Sequence, residues 1–421
     1  MKNFNKICPY CNKELYSDKG NLLADIHLNE DTNTAYCLEC HRLYNIPEHK
    51  MKILLRSRCR AIGDTIPFTV LIKELRRIYP KAIIDVVSLV PDIFKYNKNI
   101  NHNYLANLKS TLQDYVKSCD LFLDPFQPEN PLFPHHFSNH CTQYTINGAL
   151  RKTINWADCD YDVPITIKEK KAIKKIAKKI KLNLEKPFII IHPHKAGWES
   201  RTWDKDNWIN LIYQIQTKFP KYQIVSIGGD RNFYDEFKLD NYVKIENADF
   251  DLYNKLTILE SIALMSLKNA KAIITMDTAP LHIAACAPKI HIFGIFTVVK
   301  SKYRVPIRHG VIGYNFTPIE QYECSCTYDL KAYSKTESIS KCPKYTTLIK
   351  TKDMIEKKII TKQNAINALN QIIGYKYNWN EKTLLDQINE VEKEFVNYKC
   401  KPTVDEVFKE FEIVEKTFGE A

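Results

Sequence analysis

The sequence predicts an α/β protein, and three observations predict it. Apolar strand runs alternate with helical periodicity twice over, from Lys52 to Ser88 and again from Phe188 onward. Each alternation reads strand, helix, strand, which makes neighbouring strands parallel and their crossovers right-handed. Glycine is scarce, 11 in 421 residues, which excludes linker-like and low-complexity chains. Five of those glycines, Gly63, Gly197, Gly228, Gly229 and Gly294, fall at or near strand ends, where backbone must be free of a Cβ. The expected architecture is two Rossmann-like halves facing a cleft. A small Cys-rich segment precedes them and helices follow.

Residues 1–49 hold Cys8-Pro-Tyr-Cys11 and Cys37-Leu-Glu-Cys40. Two CxxC turns can aim four thiolates at one ion, so a structural, zinc-ribbon-like Zn²⁺ site is expected, closed to substrate. Redox dithiols are the other reading. The stretch MKNFNKICPYC lacks the apolar core of a secretory signal, and no run approaches about eighteen apolar residues, so a cytoplasmic protein with reduced thiols is expected.

The first half, residues 50–167, opens with the strand KILLR (Lys52–Arg56) and a turn to Asp64. A helix is predicted from Thr65 to Tyr79, with Ile66, Val70, Leu71 and Leu75 on one face and Pro80 as its stop. The strand AIIDVVS (Ala82–Ser88) completes the unit.

The second half, residues 168–373, begins with KEKKAIKKIAKKIKLNLEK. Ala172, Ile173, Ile176, Ala177 and Ile180 mark an apolar face and lysines fill the other. Two readings stand, a solvated amphipathic helix and a contact with an anionic membrane surface. The strand Phe188–His192, the helix NWINLIYQIQTKF and the strand YQIVSIGG follow. Next come the helix TILESIALMSLKNA, the strand Ala272–Met276, a short helix at Pro280–Cys286 and the strand KIHIFGIF. In residues 374–421, Pro402 separates two amphipathic helices, one with Leu384, Leu385, Ile388 and Val391, the other with Val407, Phe408, Phe411 and Val414. They pack on the α/β body or join copies of the chain.

The net charge of +12 favours anionic partners: nucleotides, phosphates, nucleic acid or a membrane surface. Ligands of open α/β sheets bind outside the carboxyl ends of strands, and four loops lie there. In the first, Gly63 permits a tight turn and Asp64 faces the cleft, as a proton acceptor or as a helix N-cap. The second, His192-Pro-His-Lys195-Ala-Gly197-Trp-Glu-Ser-Arg201, offers two cations suited to a diphosphate and a glycine for close approach. The third is Gly228-Gly229-Asp230. The fourth, Met276-Asp277-Thr278-Ala279-Pro280-Leu281-His282, is a polar turn that opens a helix and suits an anion.

AIGD after KILLR, then HPHKAGWESRTW, then MDTAPLHIAA, in that order and separation, resemble the heptosyltransferase family, glycosyltransferase family 9, across roughly residues 51–373. The resemblance implies a GT-B fold and inverting sugar transfer without a catalytic metal. The donor would be a nucleotide-diphosphate sugar such as ADP-heptose, and the acceptor a lipopolysaccharide, glycan, lipid-linked or protein group. It implies Asp64 as the base and Lys195, Gly197, Arg201, Glu260, Asp277, Thr278, Ala279 and His282 at the donor. His282 serves either packing or phosphate contact. Ala279 stands where the family has glycine, and Gly294-Ile-Phe-Thr297 where it has a Pro- and Asp-containing turn. The last helix of such folds often returns to the first half. Cys324, Cys326 and Cys342 lie where a subgroup that modifies autotransporter proteins carries an iron-binding Cys finger; metal ligands, buried thiols and a disulfide are all open readings. A peripheral place at the inner membrane and a homo-oligomer are further expectations. Two other functions stay open: a protein O-glycosyltransferase, and a non-catalytic adaptor that binds through the ribbon.

Overall fold

The computed structural model describes residues 26–29, 34–37, 42–45, 51–57, 61–105, 116, 118–125, 145, 149–150, 159–194, 202–229, 242–297, 301–320, 343–372, 378–397 and 402–418. Ile26–Asn29 (β1), Thr34–Cys37 (β2) and Arg42–Asn45 (β3) form an antiparallel sheet in sequence order. The expected zinc centre is corrected. Among the described residues no group of three or more His, Cys, Asp or Glu side chains could hold a metal ion, whereas a tetrahedral site needs four donors converging on one point. Of its expected ligands, Cys8, Cys11 and Cys40 lie outside the described residues, and Cys37 ends β2. Cys324, Cys326 and Cys342 also lie outside them. Cys119, Cys159 and Cys286 are in no disulfide, and burial pushes the Cys119 thiol up to about 11.

The first half contains Lys52–Ser57 (β4), Ile62–Thr65 (α1), Phe68–Ile78 (α2), Ile83–Ser88 (β5), His102–Leu105 (β6) and Leu121–Leu123 (β7). Its four strands are parallel, in the order β6-β5-β4-β7. The single helix expected from Thr65 is two pieces. Pro67 has no N–H to give the carbonyl four residues back, so helical pairing breaks there and restarts with Pro67 as the N-cap of α2. α1 starts earlier than expected, behind Ala61, so Asp64 is an acid within the first turn and not the N-cap.

Ile167–Ile180 (α3) leads into the second half. Thr166 and Glu169 close a reciprocal capping box at its start, and Lys181 closes its end in the left-handed conformation. There follow Phe188–His192 (β8), Lys205–Lys218 (α4), Gln223–Gly228 (β9), Phe250–Tyr253 (β10), Ile258–Met265 (α5), Ala270–Met276 (β11), Ala279–Ala285 (α6) and His291–Phe296 (β12). A small hairpin, Ile307–Arg308 (β13) and Val311–Ile312 (β14), precedes Phe316–Glu320 (β15). The six long strands are all parallel, in the order β10-β9-β8-β11-β12-β15. A parallel sheet is covered on both faces, which is why Phe188-Ile-Ile-Ile191 is apolar and buried without alternation. One face packs on α3, α5 and α6 and is continuous with the core of the first half; the other packs on α4.

Pro343–Glu356 (α7), Lys362–Ile372 (α8) and Leu384–Asn397 (α9) share a separate apolar cluster that includes Leu348, Leu369 and Ile388. Val404–Glu415 (α10) does not return to the first half. It lies on the second sheet, with Phe411 against Phe219, Tyr222 and Phe293. The Trp203 indole N–H donates to the Pro402 carbonyl at 2.9 Å and fixes the approach of that helix. Among the described residues no helix is long and apolar enough to cross a membrane.

Candidate active site

Both sheets start in the middle and grow outward twice. Numbered within its half, the second sheet runs 3-2-1-4-5-6, so its direction of growth reverses between β8 and β11. The crevice beyond the carboxyl ends of two such strands is where an open α/β sheet takes a ligand. β8 ends there in His192 and β11 in Met276, followed by Asp277 and Thr278. Thr278 Oγ1 lies 3.4 Å from His192 Nδ1 and 3.3 Å from the Met276 carbonyl, so this hydroxyl bridges the switch point. Burial, then the neighbouring His194, pushes the His192 imidazole down to about 3. The ring is neutral at physiological pH and acts by hydrogen bonding.

His194 is the next buried group. Its Nδ1 accepts the Val243 N–H at 3.2 Å, which leaves the proton on Nε2, 3.5 Å from Ser226 Oγ. Its ring meets Tyr253 edge-on at 4.4 Å between centroids and stacks on Tyr242 at 5.6 Å, while the Tyr242 hydroxyl donates to Asp251 at 2.7 Å. A Cβ on Gly228 would sit 2.1 Å from His194 Cδ2, so only glycine lets the ring fill this place at the ends of β8, β9 and β10.

Asp277 is buried, 3% exposed, with its carboxylate 4.0 Å from Nε of the equally buried Arg304. Its N–H donates to the Ile295 carbonyl at 3.1 Å, tying the turn to β12. Thr278 and Ala279 are partly exposed beside it and His282 is buried. Glu260 is the third residue of α5, where its carboxylate accepts the Thr257 N–H at 2.7 Å. Lys195, Gly197 and Arg201 lie outside the described residues.

The first half brings its own switch point, between β4 and β7. Ser57 ends β4, and Asp124, just beyond β7, lies 3.8 Å from Arg56. From there the chain runs into α1, which packs against α6 of the second half. Gly63 makes this contact: a Cβ on it would be 2.9 Å from His282 Cδ2 and 3.6 Å from the Ala279 Cα. The glycine therefore serves the approach of two helices and not the tight turn expected. His282 is held on its other side by Tyr161, ring centroids 6.3 Å apart. Asp64, half-buried, is the residue after that contact. Gly63→Ala is expected to destabilise by about 1–3 kcal/mol, because the buried His282 ring must move. Chemical denaturation measures it, and an unchanged midpoint would show the joint to be loose.

Of the residues singled out in the sequence, Asp277, Thr278 and His282 lie together after β11, and Asp64 sits across the joint from them. His192 and His194, both in the HPH segment, belong to the site through burial and ring contacts that the sequence does not mark. Tyr242, Tyr253, Asp124 and Arg304 come from distant segments with no shared motif. His192, buried, and His291, partly buried, carry a pH signature. His291, 2.8 Å from Thr317 Oγ1, is pushed down to about 4 by burial and then by Arg308. Above about pH 6.5 neither the folded nor the unfolded chain protonates these rings. Below it the unfolded chain takes protons that the native one refuses, so stability falls as pH drops from about 6.5 towards 4. Urea unfolding at a series of pH values should show this slope, and it should flatten in His291→Gln.

Residues 151–327 match the family model of glycosyltransferase family 9 (heptosyltransferase). By that signature the chain is an enzyme of the glycosyltransferase class. Among solved structures it is similar to the glycosyl transferase family 9 protein from Veillonella parvula DSM 2008, at 14% identity and a TM-score of 0.51, over 70% of this chain and 94% of that one. It also matches the ADP-heptose lps heptosyltransferase II of E. coli, at 14% identity and a TM-score of 0.46, over 66% and 95% of the two chains. A third match is the iron-containing dodecameric glycosyltransferase TibC from enterotoxigenic E. coli H10407, at 10% identity and 0.46, over 86% and 82%. No curated protein matches the sequence significantly. At this identity the Veillonella match shows a shared fold, so the glycosyltransferase has a GT-B-like, two-domain α/β architecture.

Proposed function

We propose that the glycosyltransferase moves a sugar, a heptose in the family pattern, from a nucleoside-diphosphate donor such as ADP-heptose to a hydroxyl of a glycan or lipopolysaccharide acceptor, with inversion. The contact of Gly63 with His282 supports this reading. Through it, the segment after the first strand of one half meets the segment after the switch-point strand of the other. Residues 50–167 then take the acceptor and residues 168–373 the donor. Asp64 accepts the proton of the acceptor hydroxyl, whose oxygen forms the new bond at the anomeric carbon. The old carbon–oxygen bond breaks and its electrons leave with the diphosphate. Lys195, Arg201 and the amides of Thr278 and Ala279 hold that growing charge, with Gly197 giving room. Glu260 takes the ribose through the carboxylate oxygen not given to Thr257. His192 and Asp277 fix the turn, and His282 holds the joint between the halves. A lipid-linked acceptor would bring the protein to the inner face of a membrane.

Calorimetric titration with a panel of nucleotide sugars, followed by transfer assays with those that bind, tests the reading. One ADP-sugar is expected to bind at submillimolar concentration. Failure of every nucleotide sugar to bind at millimolar concentration would overturn it.

A further inference from the structure

One helix of the second half carries a dense row of like charge. α3 carries seven lysines in its 14 residues, IKEKKAIKKIAKKI, and all seven are exposed. At about 100° per residue they span roughly half of the helix circumference. The opposite side, with Ile173 and Ala177, is buried against the protein body. The only acid of the helix is withdrawn from that surface. Glu169 is 5% exposed and accepts hydrogen bonds from the Thr166 N–H at 2.9 Å and the Tyr96 hydroxyl at 3.0 Å. No described acid pairs with any of the seven.

A helix face that only needs solubility gains by alternating signs at four-residue spacing. α3 does the reverse: Lys170, Lys174 and Lys178 form one row of like charges at that spacing, and Lys171, Lys175 and Lys179 form another. These rows repel along their length, and a polyanion laid against them relieves the repulsion. The charge is carried by lysine alone. The exposed face has neither the arginine forks that read phosphate geometry nor the aromatic rings on which bases stack, so a nucleic acid has little to grip. Ile167, in the first turn, is 69% exposed beside the charged face, an apolar side chain where a headgroup region would begin.

We propose that α3 is an electrostatic docking surface for a bilayer rich in anionic lipid, lying flat against its headgroups. The proposal extends the reading of a membrane-side acceptor but stands on the helix's own charge, and its test uses no sugar transfer. The full chain is mixed with vesicles of phosphatidylcholine alone, or with about one-third phosphatidylglycerol, and sedimented. Binding is expected to the anionic vesicles only and to weaken steeply with salt. The variant K171Q/K174Q/K175Q/K178Q should lose about 1,000-fold in partition, at about 1 kcal/mol per lysine. It should keep its melting temperature and its affinity for nucleotide sugar, since all four side chains are exposed. Equal binding to neutral vesicles, retained binding by the variant, or no vesicle binding would each overturn the proposal. So would lysine-dependent binding of a single-stranded oligonucleotide without vesicle binding. Loss of nucleotide-sugar binding in the unmodified chain would instead count against the proposed function and leave the docking surface standing.

Discussion

Asp64→Asn is expected to lower kcat by about 10²- to 10⁴-fold while nucleotide-sugar affinity stays unchanged. The asparagine keeps the shape of the side chain and removes its ability to accept a proton. Asp64 is half-buried in the first turn of α1, next to the glycine that touches His282, so the substitution leaves the joint between the halves intact. Three measurements separate chemistry from folding: transfer rate, donor affinity by calorimetry, and thermal melting. A fall in kcat below about tenfold would remove Asp64 from the role of base, because proton transfer to a positioned side chain contributes at least about 100-fold. A large loss of donor affinity would place the residue at the donor.

Phe411→Ala is expected to cost about 3–5 kcal/mol, the range for emptying a buried aromatic site. The ring is fully buried between α4 and the second sheet, against Phe219, Tyr222 and Phe293. None of these rings is free to collapse into the cavity without leaving its own contacts. Trp203 and Trp208 lie in the same cluster, 5.0 Å apart edge to face, and Trp203 bonds to the residue that leads into α10. Their fluorescence therefore reports the release of α10 directly in a denaturant titration. Phe411→Leu should recover much of the loss. An unchanged midpoint for the alanine variant would mean that α10 adds little to the second half.

The α/β class and the order of elements were legible because parallel strands are buried on both faces. The run from Phe188 to Ile191 and the run from Ile273 to Met276 announce themselves without neighbours. Boundaries depended on backbone chemistry that a hydrophobic period ignores. Pro67 removes one amide and divides a helix that Ile66, Val70 and Leu71 made look continuous. The candidate site was legible where it is local, as in Asp277-Thr278 after a strand. It was hidden where it is assembled from afar: Arg304, beyond β12, reaches Asp277, and Tyr242, ahead of β10, and Tyr253, the last residue of β10, reach His194. Gly63 reads locally as a turn glycine, but its missing Cβ is needed by a residue more than two hundred positions on. The paired CxxC turns pointed to a metal that the described residues do not support.

The position of β8 sets the tempo at which the second half can assemble. This strand is central: it pairs with β9 on one side and, on the other, with β11, about 80 residues later in the chain. The Trp203–Pro402 bond joins positions 199 residues apart. Contact order of this kind makes assembly slow, and until β11 pairs with it β8 presents an open apolar edge. Refolding should be slow and prone to association through that edge at high protein concentration. A cut placed between β10 and β11 should give two insoluble pieces rather than two folded ones.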